Sequence, residues 1–274
     1  MATLELRRHA DARAFLARAE SWLLEADVER ALALQGARQA RVDEWRYEKP
    51  TYWATFEEDG RIVGCAFRTP PHHVGVTRLP PEAIPLLLES LKETYTVMSG
   101  ISGAEPTASA LAAVSFANRW RVTSRQWLWS IAAVEPLDAA PAGALRLATD
   151  ADAAVVWEWG AALARDTGVP LDGRFCTGLL RAQQLYFWDD GAPRCMAGVQ
   201  VRTQRSAALG VLYTPPDWRG KGYGTATVAA WSHETLERGT RCLFFTDAAN
   251  ATATRICRKL GYELVQEAVD IEFR

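Results

Sequence analysis

Residues 211–225 read VLYTPPDWRGKGYGT, and no other stretch constrains the fold as much. An apolar run ends at Pro215-Pro216, which cannot both continue a β ladder because proline lacks the N–H. Arg219, Gly220, Lys221, Gly222, Tyr223 and Gly224 follow, and Thr225 opens a helical pattern that runs to Glu237. A strand, a glycine-rich turn and a helix start in succession place several free N–H groups around one concavity. The helix adds roughly half a positive charge there. Glycines let the backbone approach an anion with no Cβ in the way, and Arg219 and Lys221 add full charges. The turn therefore reads as a site for phosphate or pyrophosphate.

Spacing separates the phosphate motifs. A Walker loop needs GxxxxGK followed by Ser or Thr, but Pro215 sits where the first glycine belongs and Gly222 follows the lysine. A dinucleotide fingerprint needs GxGxxG after the first strand of a βαβ unit. Here the glycines run Gly220-x-Gly222-x-Gly224, late in the chain. The pattern that fits is Arg-x-x-Gly-x-Gly between a strand and a helix. The bland alternative is a turn that merely joins two elements.

Composition narrows the rest. At roughly 150 residues per domain, 274 residues make two compact domains or one large one. With 31 basic and 33 acidic residues the chain has no basic excess, so it does not read as a nucleic-acid binder. No apolar run approaches the roughly 18 residues of a membrane span, and Glu5, Arg7 and Arg8 interrupt any signal-peptide core. A soluble, cytoplasmic protein is expected, monomer or homodimer. Five cysteines form no CxxC pair and leave one over, which argues against a disulfide framework and a zinc site. Four histidines, with only His72 and His73 adjacent, build no metal cluster, so no metal is expected.

Two halves repeat one order of elements. Residues 134–144, VEPLDAAPAGA, are interrupted by Pro136, Pro141 and Gly143 and mark the expected boundary, giving domains 1–135 and 136–274. In the second half the patterns predict a strand at 145–149, a helix capped by Asp150 and running to about Arg165, and a helix at 176–184. Strands at 185–188 and 195–201 flank the hairpin signal Asp189-Asp190-Gly191. A strand at 207–213, the glycine turn, a helix at 224–237, a strand at 242–246, a helix at 251–260 and a strand at 264–273 complete it. The first half offers a strand at 3–6, a long helix from Asp11, and strands at 52–56 and 61–67 around Asp59-Gly60. A strand at 73–77, helices at 81–94 and 106–117 and a strand at 125–134 follow. The order suggests a structural duplication.

Two blocks resemble the GNAT superfamily of acyl-CoA-dependent N-acyltransferases. Arg219-x-x-Gly222-x-Gly224 is similar to its coenzyme A signature. Some 25 residues on, Asp247-Ala-Ala-Asn250 with Ala253, Ile256, Lys259, Gly261 and Tyr262 is similar to its last-helix pattern. The resemblance covers about 144–274, whereas the first-half turn, Leu79-Pro80-Pro81-Glu82, has neither glycine nor a basic residue. It implies an α/β (α+β) fold of two GNAT-like domains, each a mixed, mostly antiparallel twisted sheet flanked by helices. The first would be a degenerate copy without a coenzyme A motif. The implied activity is acetyl transfer from acetyl-CoA, as co-substrate, to a primary amine of a small-molecule acceptor. A catalytically lapsed acyl-CoA sensor and a peptide or protein acceptor are the alternatives.

The resemblance also implies residue roles. Val211, Leu212 and Tyr213 would pair with the pantetheine amides like an added strand. Gly220, Lys221, Gly222, Tyr223, Gly224 and Thr225, with the Arg219 side chain, would hold the pyrophosphate, and Asn250 would touch the pantetheine arm or cap its helix. Many relatives carry a tyrosine as leaving-group acid where this chain has Cys257. Cys257 and Tyr213 are therefore candidate acids, although a helix cysteine also reads as a small core residue. By the resemblance, Glu158 and Asp166 lie on the stretch that shapes acceptor sites and Asp172 follows it; Glu158 is the candidate base, and each also reads as a surface charge. Trp157 and Trp159 flank Glu158 and suit either an acceptor pocket or a core.

Overall fold

The computed structural model describes residues 3–43, 47, 50–115, 119–168 and 172–274. The chain divides into two compact units, residues 1–127 with 266–274 and residues 128–265. In the first, strands β1 (Leu4–Arg8), β2 (Tyr52–Glu58), β3 (Arg61–Arg68) and β4 (Val74–Val76) pair antiparallel in that order. β4 then pairs parallel with β5 (Gly100–Ala104). In the second, β7 (Ala144–Leu147), β8 (Leu185–Asp189), β9 (Pro193–Arg202) and β10 (Ser206–Tyr213) repeat the antiparallel series. β10 then pairs parallel with β11 (Arg241–Asp247). The helices keep the same places. α1 (Ala12–Glu25) and α2 (Ala31–Asp43) follow β1 as α5 (Ala153–Thr167) and α6 (Gly173–Arg181) follow β7. Likewise α3 (Ala83–Thr94) and α4 (Thr107–Val114) match α7 (Tyr223–Glu237) and α8 (Ala251–Lys259).

Strands such as β2 and β10 are buried on both faces, so they read as nearly unbroken apolar runs. In β2, Tyr52, Ala54 and Phe56 enter a core with residues of α3 and α4, while Trp53 enters another with residues of α1 and α2. Trp53 stacks on Phe67 there, ring centroids 5.7 Å apart. β10 alternates the same way. Val211 and Tyr213 pack with Val156, Leu163 and Leu179 of α5 and α6, and Leu212 with Tyr223 and Ala226 of α7. Side chains of this size each contribute roughly 2 kcal/mol on burial.

Three expectations are corrected. The long helix from Asp11 is two helices, with Asp11 capping the first by accepting from Ala14 N at 2.7 Å. Asp150 does not cap α5: a short 3-10 turn at Asp150–Asp152, headed by Thr149, comes first, and Asp152 takes the N-cap position of α5. The strand β5, GISGA, escapes the sequence reading because two glycines in five residues leave no apolar alternation. A Cβ at Gly103 would lie 2.0 Å from Val76 O, so the close parallel pairing of β4 and β5 requires that glycine. The predicted end of the 106–117 helix at 116–117 lies outside the described residues.

The boundary also differs from the expected one. β6 (Trp120–Ile131) and β12 (Glu263–Phe273) both pass from one unit into the other along their length. Residues 268–272 of β12 pair antiparallel with β5, so the C-terminal strand belongs to the first unit's sheet. Residues 134–144 are a strap on the second unit. Glu135 N donates to Leu260 O at 3.0 Å, and Ala142 O accepts from Trp188 Nε1 at 2.9 Å.

Candidate functional site

The site begins where β10 leaves β11. Their parallel pairing covers Ser206–Leu209 against residues 241–244, yet β10 continues to Tyr213 and β11 to Asp247. β10 stays paired with β9 as far as Tyr213, so its other edge is released after Leu209. The cause is local. The register against β9 shifts between Ala208 and Leu209 and again across Gly210, and such a bulge bends a strand. A Cβ at Gly210 would lie 2.6 Å from Gln200 Cβ, so only glycine allows that approach.

The released strand leads into the turn. A 3-10 turn at Pro216–Trp218 follows Pro215, and then Gly220 and Gly222 take φ of +76° and +86°. This left-handed backbone favours glycine. A Cβ at Gly220 would meet nothing within 4 Å, and one at Gly222 only Pro141 Cδ at 3.8 Å. The glycines thus line open space. Gly222 heads α7 with no side-chain cap, so the first N–H groups of that helix point out of its N-terminus unclaimed by any capping side chain. A Cβ at Gly224 would make only an ordinary contact, 3.6 Å from Ile256 Cδ1 of α8.

A polar scaffold holds the turn. Arg219 Nε donates to Thr214 O at 2.8 Å and its Nη2 to Asp166 Oδ2 at 2.6 Å. Two cations lie over the Trp218 ring, Arg194 Cζ at 3.7 Å and Lys221 Nζ at 4.4 Å from its centroid. Asp190 pairs with Arg194 and accepts from Tyr223 Oη at 2.9 Å. Burial opposes ionisation of Asp190, but the bonds from Tyr223 and Arg194 outweigh it and hold the carboxyl below its usual range. The same bond from Asp190's side pushes the Tyr223 phenol up. The hairpin at Asp189-Asp190-Gly191 thus also braces the glycine turn. Only its turn chemistry was legible in the sequence, because the partners Arg194, Trp218 and Tyr223 lie in other elements.

The remaining predicted residues fall into place separately. Asn250 caps α8, its Oδ1 accepting from Ala253 N at 3.0 Å, and the residue is exposed. One turn on, Thr254 Oγ1 is a buried hydroxyl without a partner among the described residues. Tyr213 is buried at the end of β10, its ring 5.9 Å from Trp159 and 5.7 Å from Arg219 Cζ. Cys257 is fully buried, and burial pushes its thiol up to about 12. In this position it is a core side chain. Glu158 lies on the exposed side of α5 with Trp157, away from the buried residues Val156, Gly160 and Leu163. Trp159, not Trp157, packs towards β10 and Phe187. Asp172 caps α6, accepting from Arg174 N and Phe175 N at 3.0 Å each. The structure therefore brings together the strand, the turn and Arg219, and gives the proposed acid and base no shared position. Among the described residues no cluster of His, Cys, Asp and Glu could hold a metal, and no helix is long and apolar enough to cross a membrane.

The equivalent place in the first unit is filled. Leu79 N donates to Thr107 Oγ1 of α4 at 2.8 Å. At the head of α3, Ala83 N and Ile84 N donate to the carbonyls of Pro80 and Pro81. No glycine or basic residue interrupts 79–82.

Residues 189–270 match the family described as FR47-like protein. The whole chain is similar in fold to solved structures. One is an acetyltransferase of the GNAT family from Colwellia psychrerythraea, with TM-score 0.59 and 12% identity, covering 98% of this chain and 100% of that one. A Drosophila protein matches with TM-score 0.62 and 14% identity, covering 98% of each. A GCN5-related N-acetyltransferase from Sphaerobacter thermophilus matches with TM-score 0.57 and 15% identity, covering 98% of this chain and 95% of that one. No curated protein matches the sequence significantly.

Proposed function

We propose, from the premise that this chain is a GNAT-superfamily protein, that it transfers an acetyl group from acetyl-CoA to a primary amine of a small molecule. The observation that carries the reading is the released edge of β10 running straight into an uncapped, glycine-led helix N-terminus. The two parts suit the two halves of coenzyme A. Residues 211–213 offer the strand edge not paired with β9 to the pantetheine amides, and the turn with Arg219 offers N–H groups and charge to the pyrophosphate. The open space at Gly220 and Gly222, and the orphaned Thr254 hydroxyl near Asn250, fit such a ligand.

Bound acetyl-CoA supplies the thioester that is attacked. The chain's own part is to orient it and to provide backbone N–H groups on the free edge of β10 for the developing oxyanion. An alkyl amine of pKa ~10 is only about one part in a thousand neutral at pH 7, so attack needs a proton acceptor. A water relay suits this chain better than Glu158, which is exposed on the outer side of α5. Incubation with acetyl-CoA and an amine panel, followed by release of free coenzyme A thiol, tests the proposal. Turnover with a small amine above the buffer rate is expected.

One observation favours a second reading, an acyl-CoA-binding protein without turnover. Cys257 holds the acid position as a buried thiol that does not ionise near neutral pH. Binding without turnover across the whole panel would select it. Under either reading, calorimetric titration is expected to find one coenzyme A per chain, because the N–H groups of Leu79, Ala83 and Ile84 at the first-unit turn are already paired. Two equivalent sites would overturn that assignment.

A further inference from the structure

We infer that Asp166 is a positioning residue for coenzyme A binding, acting through Arg219. The inference rests on the coenzyme A reading of the glycine turn. Asp166 stands in the last turn of α5, far from the turn in sequence, and its carboxylate takes Arg219 Nη2 at 2.6 Å. Thr214 O takes Nε of the same guanidinium at 2.8 Å. Both bonds use one edge of the planar fork, Nε and Nη2, and neither uses Nη1. The two bonds fix the plane of the guanidinium and leave its Nη1–Nη2 edge for a bidentate oxyanion contact.

As a stability device the pair would be weak. The Arg219 and Asp166 side chains are 50% and 41% exposed, and ion pairs of that kind contribute little to folding. Its effect lies in orientation. A free arginine gives up much rotamer freedom to meet a phosphate, and here Asp166 and Thr214 have already removed it. Asp166 also brings a negative charge near the anion, which opposes binding. At such exposure water screens that repulsion, so pre-orientation is the larger effect. Asparagine keeps an oxygen acceptor at the same place, whereas alanine removes it.

The test is calorimetric titration of the full chain with coenzyme A and with S-acetylpantetheine, which lacks the pyrophosphate. Asp166→Ala is expected to weaken coenzyme A binding about five- to tenfold and to leave S-acetylpantetheine unchanged. Asp166→Asn should recover most of the loss. In an Arg219→Ala background, Asp166→Ala should cost nothing more. A merely structural Asp166 would weaken both ligands, or would act equally in both backgrounds, and either result overturns the inference. Undiminished coenzyme A affinity in Asp166→Ala, with loss in Arg219→Ala, overturns the inference alone. Wild-type chain that binds no coenzyme A overturns the reading beneath it as well.

Discussion

Gly222→Glu is expected to abolish coenzyme A binding while the chain still folds. Ligand at 100 times Kd adds about 2.7 kcal/mol to a one-site protein, a rise of roughly 5–10 °C in the melting of a domain this size. Wild type should show that rise with coenzyme A and acetyl-CoA and none with ATP. In Gly222→Glu the rise should vanish, because a carboxylate would stand at the uncapped start of α7, where the anion is to bind. The φ of +86° adds strain of about 1–2 kcal/mol for any side chain. Gly222→Ala carries that strain without the charge, and the nearest atom to its Cβ would be Pro141 Cδ at 3.8 Å. Alanine is therefore expected to lower the melting point and to keep the ligand-induced rise. A normal rise in Gly222→Glu would remove the phosphate assignment.

The second large effect concerns the brace at the start of the second unit. Arg146 donates to both carboxylate oxygens of Asp152, each at 2.8 Å, and to Asp189 Oδ2 at 2.7 Å. Asp152 also accepts from Thr149 N at 2.8 Å, and its side chain is 11% exposed. Arg146→Ala would leave two carboxylates facing each other without their cation, a loss of about 2–3 kcal/mol after allowing for the partial exposure of the arginine. Urea unfolding at pH 7 measures it, and a loss below about 0.5 kcal/mol would contradict the estimate.

The same pair sets an acid dependence. The hydrogen bonds from Arg146, with those from Thr149, hold the Asp152 carboxyl at about 2, against burial, which would raise it. A carboxyl whose folded pKa lies below its unfolded value stabilises the fold above the unfolded value. That stabilisation is lost as pH falls from about 4 through 2. The contribution is on the order of 1–2 kcal/mol. Unfolding followed over that range should show a shallower fall in Arg146→Ala than in wild type.

Much of the fold was legible because local patterns carried it. β8, β9 and β10 and the helices α7 and α8 lie within a few residues of their sequence assignments, each bounded by proline, glycine or a hairpin signal. The glycine turn was legible for the same reason, since positive φ at Gly220 and Gly222 leaves a mark on the residue type. β5 was not, because its stability comes from pairing with β4 and β12 while its own residues are poor strand formers. Asp166 and Cys257 looked like chemistry in the sequence. Packing made one a partner of Arg219 and the other a core thiol.

The sequence by itself determined the order of elements in the second half and the glycine-led turn, and it pointed to the duplication, all through neighbouring residues and their backbone preferences. Only the tertiary structure decided three further things. The C-terminal strand joined the first unit's sheet, residues 134–144 became a strap on the second unit, and Arg219 met Asp166. Each depends on residues distant in the chain satisfying one another's hydrogen bonds or charges. Strand pairing and ion pairing set no local pattern by which the partner could be read in advance.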